Sequence, residues 1–223
     1  MTIPKKFYVV GDPIDHSKSP FIHSEFASQF QLTIDYQKMK ISSGDLEEFL
    51  TEAKFENVVG INATVPLKGE AFNLADEPSD RAMSAEAANT LWFADGKIFA
   101  DNTDGVGIVK DIEQNIRFSL KNKKILIVGA GGAARGILGP ILEKRPSSLT
   151  ITNRTYEKSL RLSELDRSRN ITILDWGERP QNPLDLILNC TSLSLLDKIP
   201  TVDHYAVGPK TLCYDLVYRS GGT

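Results

Sequence analysis

The sequence of 223 residues lacks the features that mark several special classes of protein. No apolar run approaches the ~20 residues needed to cross a bilayer, which excludes a membrane span. No basic run is interleaved with aromatic residues, which argues against nucleic-acid binding. Internal repeats and low-complexity segments are absent as well. With 41% hydrophobic and 25% charged residues, the composition predicts an ordinary globular protein of one large or two small domains.

Cysteine and histidine are scarce, with two and three residues respectively. Cys190 and Cys213 stand in apolar runs without a CxxC spacing, which predicts buried free thiols in a reducing compartment. His16, His23 and His204 have no partners at ligand spacing, so no metal site is predicted. The first residues lack the apolar core and small-residue cleavage site of a signal peptide, and the expected location is the cytoplasm.

The net charge of −3 is divided unevenly along the chain. Residues 1–103 hold 9 Lys and Arg against 16 Asp and Glu, a net charge of −7. Residues 104–223 hold 17 against 13, a net charge of +4. This difference predicts two parts with different roles, of which the second is better suited to an anionic ligand.

Short β-rich runs alternate with helical patterns, which is typical of an α/β fold with parallel sheets. The predicted strands are 7–11, 34–41, 58–65, 124–130, 149–153, 171–176, 185–190 and 211–218. Residues 91–100 predict a hairpin around Asp95-Gly96, a pair suited to a type I′ turn.

Three helices are predicted from their start signals and spacing. Ser42 or Ser43 is expected to cap a helix whose apolar face comprises Leu46, Phe49, Leu50 and Ala53. Pro20 opens a second helix, with Ile22, Phe26 and Phe30 on one face. A third begins after the hairpin, carries Val106, Ile108, Val109 and Ile112, and is expected to connect the two parts.

A glycine-rich motif stands directly after the predicted strand that ends near residue 130. Gly129, Gly131 and Ala134 fit G-x-G-x-x-G/A between an apolar strand and a helical pattern. The first glycine permits a tight turn, the second lets the backbone approach a pyrophosphate, and the small third residue packs the helix on the strand. A glycine turn without a ligand is the alternative, but the strand and helix favour dinucleotide binding.

The end of the next predicted strand favours NADP over NAD. An NAD site has an acidic residue about 20 positions after the glycines, to accept from the ribose 2′-hydroxyl. Here the chain has Asn153, Arg154 and Thr155, with Lys158 one turn later. Arg154 and Lys158 suit a 2′-phosphate, whereas Asn153 and Thr155 can cap the helix and donate to the ribose or phosphate. A solvated surface arginine is the alternative.

Two polar clusters of the first half have both a functional and a purely structural interpretation. Ser17 and Ser19 can hold a small polar ligand, or Ser19 can simply cap the helix that Pro20 opens. Asp104 follows the polar run from Asp101 and is an excellent helix N-cap, so a structural role alone is the simpler interpretation.

A third cluster lies at the end of the strand predicted over 58–65. Asn62 and Thr64 alternate with apolar residues, so both face one side and need hydrogen-bonding partners from backbone or ligand. Lys68 follows at a strand-to-helix junction, where the helix N-terminus disfavours its ammonium form. A lone lysine is usually a solvated charge, yet this set of groups suits reduction of a carbonyl on a polyhydroxy acid.

Eight motifs between Phe7 and Tyr218 resemble those of the shikimate dehydrogenases, in the order of that family. They are HSKSPFIH (16–23), GINATVPLK (60–68), AANT (87–90), DNTDGVG (101–107), GAGGAA (129–134), NRTYEK (153–158), NCTS (189–192) and YDLVY (214–218). The resemblance implies an N-terminal α/β substrate-binding and catalytic domain over 1–103 and a Rossmann-like, doubly wound NADP-binding domain over 104–223. The family continues past YDLVY into a further helix, whereas this sequence ends at RSGGT, five residues after that motif.

The resemblance implies an oxidoreductase that reversibly reduces 3-dehydroshikimate to shikimate with NADPH, in chorismate and aromatic amino acid biosynthesis, at a cleft between the domains. The implied catalytic pair is Lys68 and Asp104. The implied substrate contacts are Ser17, Ser19, Asn62, Thr64, Asn89, Asp104 and Tyr218. The implied cofactor contacts are Gly129, Ala130, Gly131, Gly132, Ala133, Asn153, Arg154, Thr155, Lys158 and Thr191.

Two alternatives stay open at this stage. One is a quinate/shikimate dehydrogenase with broader substrate and cofactor use. The other is a non-catalytic NADP-binding regulator, which would leave Lys68 and Asp104 without a purpose. The sequence leaves the oligomeric state open, a homodimer included.

Overall fold

The chain forms two compact units, Met1–Thr103 and Asp104–Thr223, in a computed structural model that describes residues 4–165, 171–178, 180, 183–200, 202 and 206–218. Each unit contains one β-sheet. None of the helices in these ranges is long and apolar enough to cross a membrane. The α/β fold class predicted from the sequence is confirmed.

The first unit is built on a six-stranded mixed sheet in the order β2-β1-β3-β5-β6-β4. Its elements are β1 (Lys5–Gly11), α1 (Ser19–Gln29), β2 (Ile34–Lys40), α2 (Leu46–Phe55), β3 (Val58–Ala63), α3 (Lys68–Asn73), β4 (Glu77–Pro78), α4 (Asp80–Ala85), β5 (Thr90–Ala94) and β6 (Lys97–Asp101). Strands β2, β1 and β3 are parallel neighbours, so their carboxyl ends meet at one edge of the sheet.

The predicted hairpin is confirmed as β5 and β6, which pair in antiparallel register around Asp95-Gly96. Both turn residues have positive φ, 49° at Asp95 and 76° at Gly96, as a type I′ turn requires. Because β5 also pairs with β3, the hairpin brings residue 90 beside residue 62.

Helix α2 has the predicted apolar face, since Leu46 and Leu50 are buried. The prediction that Ser42 or Ser43 caps it is wrong, because the helix begins only after Asp45. The Glu70 carboxylate of α3 takes the capping role instead. It accepts hydrogen bonds from the backbone N–H of Gly44 at 3.0 Å and of Leu46 at 3.2 Å.

Helix α1 starts with Pro20 in its first turn, as predicted. The alternative role of Ser19 as its cap is wrong, since Ser19 is the first helical residue and Lys18 precedes the helix. The apolar face is largely solvated, with Ile22 40% and Phe26 53% exposed. Phe30 lies just beyond the end of the helix.

The second unit contains a parallel sheet of five strands in the order β11-β10-β7-β8-β9. Its elements are α5 (Asp104–Lys110), one π-helical turn (Asp111–Asn115), β7 (Lys124–Val128), α6 (Gly132–Glu143), β8 (Ser148–Thr152), α7 (Tyr156–Glu164), β9 (Ile171–Leu174), β10 (Leu184–Asn189), one 3₁₀ turn (Leu193–Leu196) and β11 (Val207–Asp215). The strand order reverses at β7 and β10. This is the predicted doubly wound, Rossmann-like arrangement, in which ligands bind where the order reverses.

Cys190 and Cys213 are not joined in a disulfide, but the prediction that both are buried is wrong. Cys190 is half-buried and Cys213 is exposed. The reason is the pleat of β11, which is at the edge of the sheet. Leu212 and Tyr214 pack against the core of the unit, so Cys213 between them points to the opposite side.

Candidate active site

A hydrogen-bonded network at the carboxyl end of β3 fixes the side chain of Asn62. The Tyr36 hydroxyl on β2 donates to Asn62 Oδ1 at 2.6 Å. Asn62 Nδ2 donates to the Asn89 carbonyl at 3.1 Å and to Thr90 Oγ1 at 3.3 Å. The amide is thereby held in one orientation, and it joins three strands that are far apart in sequence.

Asn89 continues this network toward the segment that carries Asp104. Its Oδ1 accepts from the Thr103 backbone N–H at 3.0 Å, and its Nδ2 donates to Thr103 Oγ1 at 2.9 Å. Asp104 follows Thr103 directly and is the first residue of α5, not the residue before the helix that an N-cap would be. Its carboxylate therefore lies in the first helical turn, where a negative charge is favoured.

Lys68 stands where the sequence predicts it, at the first residue of α3. Its carbonyl accepts a hydrogen bond from the Ala88 N–H at 2.8 Å, which places the start of α3 beside the residue before Asn89. Thr64 is half-buried one residue after β3. A Cβ on Gly11 would lie 2.5 Å from Thr64 Cγ2, so only glycine permits this approach of β1.

Ser17 and Ser19 lie together at the start of α1. Ser17, 7% exposed, donates from Oγ to Ser19 Oγ at 3.2 Å and accepts from the Ser19 N–H at 3.3 Å. One turn later, His23 stacks on the Tyr36 ring with centroids 4.5 Å apart. Burial lowers the pKa of His23, which favours the neutral ring in this stack. The stack links α1 to the ring whose hydroxyl holds Asn62.

Three side chains of this region have roles that the sequence did not reveal. Tyr36 and His23 have no local signal, because their contacts are with residues distant in the chain. Asp101 accepts from Ser79 Oγ at 2.6 Å and from the Asn102 N–H at 2.7 Å, and it pairs with Arg81. The hydrogen bond from Arg81 is the main cause that holds the pKa of this carboxyl below its usual value.

In the second unit, the glycine motif forms the turn from β7 into α6. Gly129 has φ +107°, and a Cβ there would lie 3.1 Å from the carbonyl carbon of Cys190. Gly131 directly precedes α6, and a Cβ there would have no atom within 4 Å. Ala134 is fully buried against the sheet. Each position thus meets the requirement of a pyrophosphate loop, with open space on the helix N-terminal side.

The end of β8 lies beside this loop. Asn153 accepts from the Ala130 N–H at 3.2 Å and donates to the Thr155 carbonyl at 2.8 Å. Thr155 occupies the N-cap position of α7, as predicted, but its side chain makes no capping hydrogen bond there. The predicted capping by Asn153 is wrong, because its amide bonds to Ala130 and to the Thr155 carbonyl. Arg154 directly follows Asn153, Lys158 lies in the first turn of α7, and both are exposed. Two exposed cations near the end of β8 fit a phosphorylated ribose.

The segment after β10 forms the other wall of the loop. Thr191 contacts the glycine turn, because a Cβ on Gly129 would lie 3.2 Å from Thr191 Cγ2. The Thr191 N–H and Oγ1 both donate to Asn189 Oδ1, at 3.0 and 2.7 Å. Tyr218, implied to contact substrate, lies in this second unit after β11 and is 49% exposed.

The described ranges contain no group of three or more His, Cys, Asp and Glu that could hold a metal ion. The parallel sheet, the glycine turn at its reversal point and the cations at the end of β8 define a dinucleotide-binding α/β protein.

Comparison with known proteins gives the family. Residues 9–91 match the shikimate dehydrogenase substrate binding domain, and residues 111–195 match shikimate / quinate 5-dehydrogenase. The chain belongs to the shikimate dehydrogenase family.

Curated relatives and a solved structure agree with this. The chain is 42% identical over 98% of its length to shikimate dehydrogenase (NADP(+)) of Chromobacterium violaceum, covering 80% of that protein. It is 45% identical over 97% of its length to the protein of the same name from Hydrogenovibrio crunogenus, covering 79% of it. Shikimate 5-dehydrogenase from Thermus thermophilus, solved in complex with NADP(H) and shikimate, superposes with a TM-score of 0.83 and 27% identity, covering 96% of this chain and 79% of that one.

Proposed function

We propose that this protein catalyses the reversible NADPH-dependent reduction of 3-dehydroshikimate to shikimate. The observation that carries the proposal is the presence, in one chain, of a dinucleotide loop flanked by two cations and a polar network that ends next to Lys68. Curated relatives that share 42% and 45% of its residues have this activity in their names. The first unit would bind substrate and the second would bind NADP.

The polar groups of the first unit suit a small polyhydroxy acid. Ser17, Ser19, Thr64 and the amides of Asn62 and Asn89 offer neutral donors and acceptors for hydroxyl and carboxylate groups. The hydrogen bonds from Tyr36 and Thr103 hold the two amides in place before substrate arrives. Such preorganisation lowers the cost of binding. Tyr218 would add a contact from the second unit.

The cofactor groups belong to the second unit. The glycine turn at Gly129 and Gly131 would hold the pyrophosphate at the N-terminus of α6. Arg154 and Lys158 would bind the 2′-phosphate, and Thr191 would contact the cofactor from the segment after β10. When bound, NADPH supplies the hydride that reduces the carbonyl carbon.

The catalytic pair would be Lys68 and Asp104. In the reducing direction, the carbonyl oxygen gains a proton as the carbon gains a hydride, and Lys68 would donate that proton. In the reverse direction Lys68 would accept it. Asp104 would hold the substrate hydroxyl and favour the charged lysine. Proton transfer by a positioned side chain contributes about 10²- to 10⁴-fold to a rate.

A lysine substitution tests the proposal. The Lys68→Ala variant is expected to lose about 10²- to 10⁴-fold in shikimate-dependent formation of NADPH, followed by its absorbance, while NADP still binds. Lys97→Ala is the control, since Lys97 lies on the same unit but pairs with Glu77 at the surface. Equal turnover of the two variants would refute the role of Lys68. An inactive wild type that binds NADP would favour the non-catalytic regulator.

A second candidate is activity on quinate, because residues 111–195 match a family whose description includes it. Comparing kcat/KM for shikimate and quinate, each with NAD and NADP, decides between the two. A preference for shikimate with NADP supports the first proposal. The oligomeric state stays open, a homodimer included, and the expected cytoplasmic location stays a prediction.

A further inference from the structure

The structure contains a buried polar cluster at the carboxyl ends of β10 and β11, around the carboxylate of Asp215. The two strands are parallel neighbours, and their last residues, Asn189 and Asp215, stand opposite each other in the register. Asn189 Nδ2 donates to Asp215 Oδ2 at 3.0 Å. Asn189 is 7% exposed and Ser194 is 8% exposed, whereas Asp215 itself is half-buried.

One oxygen of Asp215 organises the segment after β10. Oδ2 accepts from Asn189 Nδ2 and also from Ser194 Oγ at 2.6 Å. The other end of the Asn189 amide, Oδ1, accepts both donors of Thr191. Asn189 Nδ2 also donates to Ser194 Oγ at 3.3 Å, so the carboxylate and this serine together set which way the amide faces. The amide in turn holds Thr191 against the glycine turn.

The other oxygen of Asp215 organises the segment after β11. Oδ1 accepts from the Val217 N–H at 2.9 Å. Val217 immediately precedes Tyr218, and the Leu216 N–H donates to the Asn189 carbonyl at 3.1 Å. The path of the chain up to Tyr218 is thus set by the same two residues that hold Thr191.

We propose that Asp215 is a positioning residue that couples the cofactor-binding segment at Thr191 to the substrate-binding segment at Tyr218. Asp215 would contact neither ligand itself. The proposal rests on the proposed function, because that function assigns the ligand contacts of Thr191 and Tyr218. Loss of the carboxylate should therefore weaken binding of both ligands together.

The substitution Asp215→Asn tests this with little change in shape. An amide nitrogen at the Oδ2 position would face the donor Asn189 Nδ2, and two donors cannot bond to each other. We expect the KM for NADP and the KM for shikimate each to rise about tenfold, as loss of one charge-assisted hydrogen bond would cause. The Kd of NADP, measured by fluorescence titration, should rise in parallel without any turnover.

The double variant Asn189→Asp/Asp215→Asn restores the pattern of donors and acceptors with an unchanged net charge. An aspartate at 189 still accepts from Thr191, and its second oxygen accepts from the new amide at 215. We expect both KM values to return to within about threefold of the wild type, which a double-mutant cycle quantifies.

Asp185→Asn is the matched control. Asp185 is on β10, the strand that pairs with β11, and it also accepts a backbone N–H, that of Lys124 at 2.8 Å, but at the amino end of the sheet. It should leave both KM values unchanged. A loss of stability alone would affect it and Asp215→Asn alike, so all assays are run well below the Tm of each variant.

Several results would overturn the proposal. If Asp215→Asn has the KM values of the wild type, the carboxylate does not position the two ligand-binding segments. A rise in only one KM shows that the two segments are not coupled through it. If Asp215→Asn does not fold, Ser194→Ala removes the 2.6 Å donor from the same carboxylate, and the proposal fails unless both KM values rise. A wild type that is inactive refutes the proposed function instead, so the two failures are distinguishable.

Discussion

The contact between helices α5 and α6 gives a prediction that the structure makes quantitative. A Cβ on Gly105 would lie 2.6 Å from the Gly136 carbonyl oxygen and would overlap the Pro140 ring. Because such contacts are essentially never below 3.0 Å, the helices must move apart by at least about 0.4 Å. Overpacking of this kind costs about 2–3 kcal/mol, and the better helix propensity of alanine returns about 1 kcal/mol. Gly105→Ala should therefore lower the free energy of unfolding by about 1–2 kcal/mol.

Gly107 provides the control two residues further along the same helix. It is exposed, and a Cβ there would have no atom within 4 Å. Gly107→Ala should therefore stabilise the protein by about 0.5–1 kcal/mol through helix propensity alone. The two variants then differ by about 1.5–3 kcal/mol, or roughly 6–12 °C in Tm for a unit of this size.

Thermal unfolding of the full chain, followed by fluorescence, measures this difference. Trp176 packs in the second unit, so a Trp92→Phe background makes the signal report on that unit. Gly105→Ala should also reduce turnover, since it displaces the neighbouring Asp104. Equal Tm values for Gly105→Ala and Gly107→Ala would refute the claim that α5 and α6 require glycine at their contact.

Three further predictions concern the network and the cofactor. Tyr36→Phe keeps the stacked ring but removes the hydroxyl that donates to Asn62 at 2.6 Å. The free energy of unfolding should fall by about 1–2 kcal/mol. The KM for shikimate should rise, and the KM for NADP should stay unchanged. The pKa of Asp101 is lowered from 3.8 by Arg81, so the folded state binds fewer protons than the unfolded state near that pH. The interaction of Asp101 with Arg81 therefore stabilises the folded state above pH 3.8, and this contribution is lost as the pH falls through the folded pKa. When Tm is measured at a series of acidic pH values, it should fall less steeply for Asp101→Asn than for the wild type. Arg154→Ser should raise the KM for NADP about tenfold and leave that for NAD unchanged, and equal effects on both would contradict 2′-phosphate binding.

Local sequence signals predicted much of the fold. The eight strands, the type I′ turn at Asp95-Gly96 and the glycine turn depend on side-chain alternation or on a required positive φ, which are properties of a few neighbouring residues. Two of the errors occurred where a distant group replaced a local one. Glu70 caps α2 in place of a serine, and the Asn153 amide bonds to the glycine turn and not to α7.

The sequence by itself determined how strands and helices follow one another along the chain. It also determined the dinucleotide loop, the nearby cations and the family. Only the tertiary structure decided which groups hold the site in place. Tyr36 and Asn62 are 26 residues apart, as are Asn189 and Asp215, and no periodic pattern links the members of either pair. Such hydrogen bonds depend on the pairing of strands in a sheet, which brings together side chains that the chain itself keeps apart.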